Sequence, residues 1–86
     1  MVWVYILKSE KNGRYYIGCS NDPDRRLLEH NAGKTESLKY LLPVKLVFKQ
    51  GFKTLSEARK VESKLKKNKN RKILELIIRD CYIKGL

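Results

Sequence analysis

The first strongly patterned segment, Val2 to Lys8, is an almost unbroken apolar run rich in β-branched and aromatic residues, and it leads into Lys11-Asn12-Gly13-Arg14. Asn-Gly between two apolar runs is a strong hairpin signal, because both residues tolerate the positive φ of a tight turn. The spacing predicts a first strand, a two-residue turn at Asn12-Gly13 and a returning strand from Arg14 to Ser20. A turn of that length sets Tyr5 opposite Ser20, Leu7 opposite Gly18 and Ser9 opposite Tyr16. Side chains alternate along a strand, so Tyr5 and Tyr16 then project from one face of the sheet.

Asn21-Asp22-Pro23 has the form of a helix start, with Asp22 as N-cap and Pro23 at the first helical position, where its missing N–H costs nothing. The helix is expected to run to about Ala32 and stop at Gly33. Pro23, Arg26, Leu27 and His30 recur at i, i+3, i+4 and i+7, which puts a guanidinium and an imidazole beside the inward stripe. Lys34 to Leu42 is expected to be loop. Pro43 to Phe48 predicts a third strand, with Val44, Leu46 and Phe48 on one side and Pro43 tolerated at its start.

Thr54-Leu55-Ser56-Glu57 fits a capping box, in which the Thr54 hydroxyl and the Glu57 carboxylate satisfy each other's backbone amides. A helix from there to about Lys67 turns Ala58, Val61, Glu62 and Leu65 inward, so a carboxylate stands where the period asks for a hydrophobe. Glu57 is accounted for by its cap, and Glu75 belongs to a later amphipathic segment. From Arg71, the positions of Ile73, Leu74, Ile77 and Ile78 predict a third helix. Lys64 to Lys72 is a basic run, and the sequence contains no internal repeat and no low-complexity linker.

Composition narrows the class. Eighty-six residues at 42% hydrophobic content supply one modest core, so a single domain over residues 1–86 is expected. Twenty Lys and Arg against nine Asp and Glu give a net charge of +11, a positive field suited to a polyanion, and nucleic acid is the expected partner. No apolar stretch approaches the roughly 20 residues of a membrane span, and Met1 to Tyr5 lacks the basic n-region of a signal peptide. No membrane association is expected, and the location is expected to be cytoplasmic. Cys19 and Cys81 lack the spacing of a zinc site and are expected to be reduced thiols.

The residues singled out by separate local arguments are Tyr5, Tyr16, Arg26, His30 and Glu62. Their order, Trp3-Val4-Tyr5, then Tyr16-Ile17-Gly18, then Arg26 and His30 on one helix, then Glu62 within Glu57-Ala-Arg-Lys-Val-Glu62, resembles the GIY-YIG nuclease superfamily. In particular it is similar to the small single-domain bacterial members related to the amino-terminal nuclease domain of the nucleotide-excision repair endonuclease. Tyr15 to Asn21 together with Arg25 to Lys34 carries most of that resemblance, which spans nearly the whole chain.

The resemblance implies an α+β fold: a three-stranded antiparallel sheet with the first strand central, flanked by about three helices. It also implies an endonuclease acting on DNA in preference to RNA, with magnesium or manganese held by Glu62. Tyr5 and Tyr16 match the tyrosines of the two motifs, Arg26 the helix arginine, and His30 a position filled by His or Tyr. Phosphodiester hydrolysis needs an activated water and a countercharge for the transition state. Arg26 suits the non-bridging oxygens, and Glu62 suits a hard divalent ion. Tyr5 or Tyr16 is the expected base, with Tyr5 preferred and His30 assisting by hydrogen bonding. With a reference pKa of about 10, a phenol needs Arg26 and the metal to stabilise its anion.

Two departures stand out. Trp3-Val4-Tyr5 replaces Gly-Ile-Tyr, and neither Asn68 nor Asn70 aligns with the asparagine that braces the site in many members. The alternatives are a non-catalytic nucleic-acid-binding module of the same fold and an RNA-directed factor. Low sequence specificity is expected, because a lysine-rich surface contacts mainly phosphates; selectivity then comes from DNA shape or from a partner protein.

Overall fold

In the computed structural model, which describes residues 1–67 and 70–81, strand β1 (Val2–Ser9) lies between β2 (Tyr15–Ser20) and β3 (Val44–Phe52). Both pairings are antiparallel. The central place follows from the sequence: β1 has no charged residue before Lys8, so both of its faces can be covered without burying a charge. Helix α1 (Pro23–Asn31), a 3₁₀ helix (Glu36–Leu41), α2 (Leu55–Lys67) and α3 (Arg71–Asp80) complete the chain order. The expected α+β architecture with the first strand central is the one observed.

Alternation along β1 divides the interior into two layers. Val4 and Ile6 pack with Ile17, Phe48, Ala58, Leu65 and Leu74 under α2 and α3. Tyr5 and Leu7 point the other way and pack with Leu38 and Val44. Each fully buried aliphatic side chain contributes about 1.5–3 kcal/mol, so the sheet is the platform that both helical layers stabilise.

The hairpin register differs from expectation by two residues: Leu7 stands opposite Tyr16, and Tyr5 opposite Gly18. Ser9 explains the difference. Its buried hydroxyl accepts from the amides of Lys11 (3.1 Å) and Asn12 (3.2 Å) and donates to Leu41 O (2.6 Å), which turns the chain at Ser9 before Asn12 is reached. Ser9 N then bonds Arg14 O at 2.8 Å, leaving residues 10–13 as the loop. Gly13 takes φ +75° there, a conformation that side chains resist. A shift of two preserves the faces, so Tyr5 and Tyr16 still share one side.

The third strand is longer than expected and changes sides. Ile6 pairs with Phe48 but Leu7 pairs with Leu46, so Val47 is an extra residue in the ladder. Val44 and Leu46 therefore face the Tyr5 layer, while Phe48 packs in the opposite layer. A period-two reading has no way to place such a bulge. The segment expected as loop contains the 3₁₀ helix, which forms because Leu38 is buried against Tyr5 and Leu7.

Helix starts are capped as expected, except that the capping box at Thr54 forms only in its first half: the exposed Glu57 carboxylate makes no return bond to the Thr54 amide. Asp22 caps α1 through Arg25 N (3.1 Å), Thr54 accepts from Glu57 N (3.1 Å), and Asn70 caps α3 through Lys72 N (2.8 Å). Asn70 is thereby assigned a structural role; Asn68 lies outside the described residues. The last residue of α1, Asn31, exchanges two hydrogen bonds with the backbone of Val44, at 2.9 and 2.8 Å, and so ties the helix that carries Arg26 and His30 to β3. Among the described residues no helix is long and apolar enough to cross a membrane.

Candidate active site

Tyr5 is the centre of the polar cluster. Its side chain leaves β1 and crosses the backbone of β2 at Gly18, toward the open edge of the sheet. The crossing is possible only because residue 18 has no side chain: a Cβ there would overlap the phenol, falling 2.5 Å from Tyr5 Cζ. The first and second motifs are therefore one steric unit, a tyrosine and the glycine that makes room for it.

Helix α1 closes over this phenol. Pro23 and His30 are buried while Arg26 and Leu27 are half-buried, as the i, i+3, i+4, i+7 pattern predicts. His30, fully buried, places Nε2 3.2 Å from the Tyr5 hydroxyl and Nδ1 2.8 Å from Thr35 Oγ1. The Tyr16 ring meets the His30 imidazole edge-on, with centroids 5.6 Å apart. Thr35 escaped the sequence reading because it lies in the expected loop. It precedes the 3₁₀ helix yet its hydroxyl makes no cap, and serves the imidazole instead.

Arg26 acts on the same phenol, and its Nη1 lies 3.5 Å from Glu29 Oε1. Burial raises the Tyr5 pKa above its ordinary value, and the neighbouring Tyr16 adds to this. The nearby Arg26 guanidinium opposes them, and the Glu62 carboxylate raises the pKa further. In the free protein the phenol is thus held protonated. Burial lowers the His30 pKa, the Arg26 charge lowers it again, and Glu29 partly offsets both. The imidazole is neutral at neutral pH, with one ring nitrogen facing the Tyr5 hydroxyl and the other Thr35.

That depressed pKa makes a prediction. Between its folded and unfolded values the unfolded chain binds the extra proton, so His30 favours the native state above pH ~6.5 and that advantage is lost as pH falls through the folded value. Urea titrations from pH 7.5 down to 4.5 (~half-unit steps) should show a stability decline that is shallower in His30→Gln over this window. Parallel slopes would contradict the buried neutral imidazole.

Glu62 is half-buried on α2, with a side chain 20% exposed and paired to Lys66 Nζ at 3.3 Å. Its charge reaches both the Tyr5 phenol and the Cys19 thiol. Among the described residues no group of three His, Cys, Asp or Glu side chains forms a ready-made metal cage. The donor set is a single hard carboxylate, open enough for water and substrate oxygens to complete a coordination shell, which fits a weakly held Mg²⁺ or Mn²⁺ and not a structural metal. Cys19 and Cys81 are free thiols.

The Trp3 departure also has a structural place. Trp3 lies across from Gly51, where a Cβ would come 3.2 Å from the indole, and Lys49 Nζ sits 5.1 Å from its ring centroid. A Cβ at Gly51 would overlap the Met1 thioether before it met the indole, so the glycine on β3 makes room for both side chains.

The three-stranded sheet and α1 thus gather two tyrosines, a buried imidazole and a half-exposed guanidinium on one face. A family model described as the GIY-YIG catalytic domain matches residues 1–74, and the chain belongs to the GIY-YIG family. Its relatives include a UPF0213 protein of Streptococcus pneumoniae serotype 4, 43% identical over 68 residues that cover 78% of this chain and 68% of that one. UPF0213 protein SSP2268 of Staphylococcus saprophyticus is 38% identical over 76 residues, covering 87% and 92% of the two chains. The solution NMR structure of UPF0213 protein BH0048 from Bacillus halodurans is similar in fold, with a TM-score of 0.54 and 34% identity over 90% of this chain and 83% of that one.

Proposed function

We propose that the protein is a metal-dependent endonuclease that hydrolyses phosphodiester bonds in DNA, with low sequence specificity, as a single domain. The observation that carries this reading is the convergence of His30, Arg26 and the Glu62 charge on one buried phenol, Tyr5. A non-catalytic binding module has no use for such a group.

The chemistry follows from the residues. Arg26, 36% exposed, can release Glu29 and offer its fork to the non-bridging oxygens of the scissile phosphate. Incoming phosphate also brings the guanidinium and substrate charge into register beside Tyr5. As the attacking water loses its proton to the Tyr5 oxygen, the phenol's own proton passes to His30 Nε2, the acceptor 3.2 Å away. Thr35 fixes the imidazole plane from the opposite nitrogen. Tyr16, edge-on to His30, orients water or phosphate. Glu62 would hold Mg²⁺ or Mn²⁺, which supplies Lewis-acid stabilisation of the leaving 3′ oxygen when bound.

The net charge of +11 supports nucleic acid as partner, and a scheme with water as the nucleophile needs no 2′ hydroxyl and so admits DNA. The test compares labelled single-stranded, duplex and branched DNA with matched RNA, in Mg²⁺, Mn²⁺ and EDTA, for wild type and Arg26→Lys. Metal-dependent DNA cleavage that falls about 10²–10³-fold in Arg26→Lys is expected, because lysine keeps the charge and loses the fork. Metal-free cutting confined to RNA would replace this reading with the RNA-directed one.

A further inference from the structure

We propose that the cleft on the far side of Tyr16 is a binding site for an unpaired nucleotide next to the scissile phosphate. The cleft has a volume of about 620 Å³ and its walls include Arg14, Tyr15, Tyr16, Tyr40, Leu41 and Arg71. That volume lies within the range of small-ligand sites, about 300–1,000 Å³. The inference deepens the nuclease reading, and rests on it for the identity of the neighbouring phosphate.

Three features give the cleft its chemistry. Tyr40 is 83% exposed on the 3₁₀ helix, and folding has not used its ring for packing. Such a ring beside a cleft offers a stacking surface for a nucleobase, which every base accepts through its flat face. Arg71 lies with its guanidinium 5.7 Å from the Tyr15 ring centroid and is anchored by Glu75 at 3.0 Å, so one cation is held in place at the wall. Arg14, exposed at the start of the returning strand, adds a second. Flat aromatic and aliphatic walls with two guanidinium groups match a base carrying its phosphate.

Tyr16 joins the two sites. Its ring meets His30 and also lines the cleft, so a nucleotide seated here is a neighbour of the phosphate addressed by Arg26. A base within a duplex is stacked on both faces and cannot enter. The cleft therefore selects unpaired nucleotides, as found at overhangs, flaps and branches, and it gives a physical basis for choosing DNA by shape.

Binding measured by fluorescence anisotropy in EDTA tests this without any cleavage, so an inactive enzyme and an empty cleft give different results. The probes are single-stranded DNA, single-stranded RNA, blunt duplex DNA and the same duplex with an overhang; the proteins are wild type, Tyr40→Ala and Arg14→Ala. Both side chains are exposed, and circular dichroism checks that both variants fold. Tyr40→Ala should weaken binding to single strands and overhangs about tenfold or more while changing blunt duplex less than about twofold. Arg14→Ala should weaken the same probes and likewise change blunt duplex less than about twofold. An equal effect on DNA and RNA strands assigns recognition to base and phosphate, and an effect on one alone adds the sugar. The proposal is overturned by single-strand binding within about twofold of wild type in both variants, or by equal losses on single strands and blunt duplex.

Discussion

Tyr5→Phe is expected to lower single-turnover DNA cleavage by about 10²–10⁴-fold at saturating metal, the range that a positioned acid or base commonly supplies. Phenylalanine keeps the ring that packs against Leu7 and Leu38 and fills the space over Gly18, so the fold and DNA affinity should be nearly unchanged. What is lost is one oxygen, the one facing His30. Removing it also leaves His30 Nε2 without that partner in a buried site, which costs about 1–3 kcal/mol. Tyr16→Phe separates the two phenols: it should slow the reaction less, because Tyr16 meets His30 through its ring edge and no hydrogen bond to the imidazole depends on it. Full cleavage by Tyr5→Phe would remove Tyr5 as the base and leave Tyr16 in its place.

The second large effect is expected at a residue with no functional group. In Gly18→Ala the added methyl and the Tyr5 ring compete for the same space, and the backbone of β2 is fixed by pairing with Tyr5 itself. The phenol must swing away from His30. A misplacement of about 1 Å at a reacting group is enough for roughly 10²-fold in rate, and overpacking costs about 1–3 kcal/mol of stability. Cleavage and thermal denaturation measured together check both consequences. The double variant Gly18→Ala with Tyr5→Phe should be no slower than Tyr5→Phe alone, since the displaced oxygen is already gone. Independent, multiplying losses would show that Gly18 acts elsewhere.

Much of this architecture was legible in the sequence because it depends on local chemistry. The apolar run of β1, the Asp22-Pro23 start of α1 and the Thr54 cap each state their structure within a few residues. The inward face of α1 follows from spacing alone, which is why Arg26 and His30 were found beside each other. The anomalous carboxylate at position 62 was visible for the same reason. What was not legible depends on contacts distant along the chain. Ser9 reaches Leu41, and that bond displaces the hairpin register. Val47 bulges because β3 must fit β1, which sends Phe48 to the opposite layer from Val44. Thr35 became part of the site only when burial of Leu38 folded the segment after α1 into a 3₁₀ turn. Gly18 belonged to a motif from the start, but its reason, room for a tyrosine from the neighbouring strand, needs the observed register. The raised pKa of Tyr5 likewise reflects burial winning over Arg26, a balance that residue order does not contain.

The account stands most directly on Glu62, the carboxylate among the described residues whose charge reaches the Tyr5 phenol. The deciding measurement is single-turnover cleavage of branched and duplex DNA across Mg²⁺ and Mn²⁺ titrations, for wild type and Glu62→Ala, with folding and DNA binding verified for both. The account predicts metal-dependent cutting by wild type and its loss in Glu62→Ala, by about 10²-fold or more, with DNA still bound. Wild-type protein that binds every substrate and cuts none at any metal concentration, or Glu62→Ala that cuts as wild type does, would contradict it.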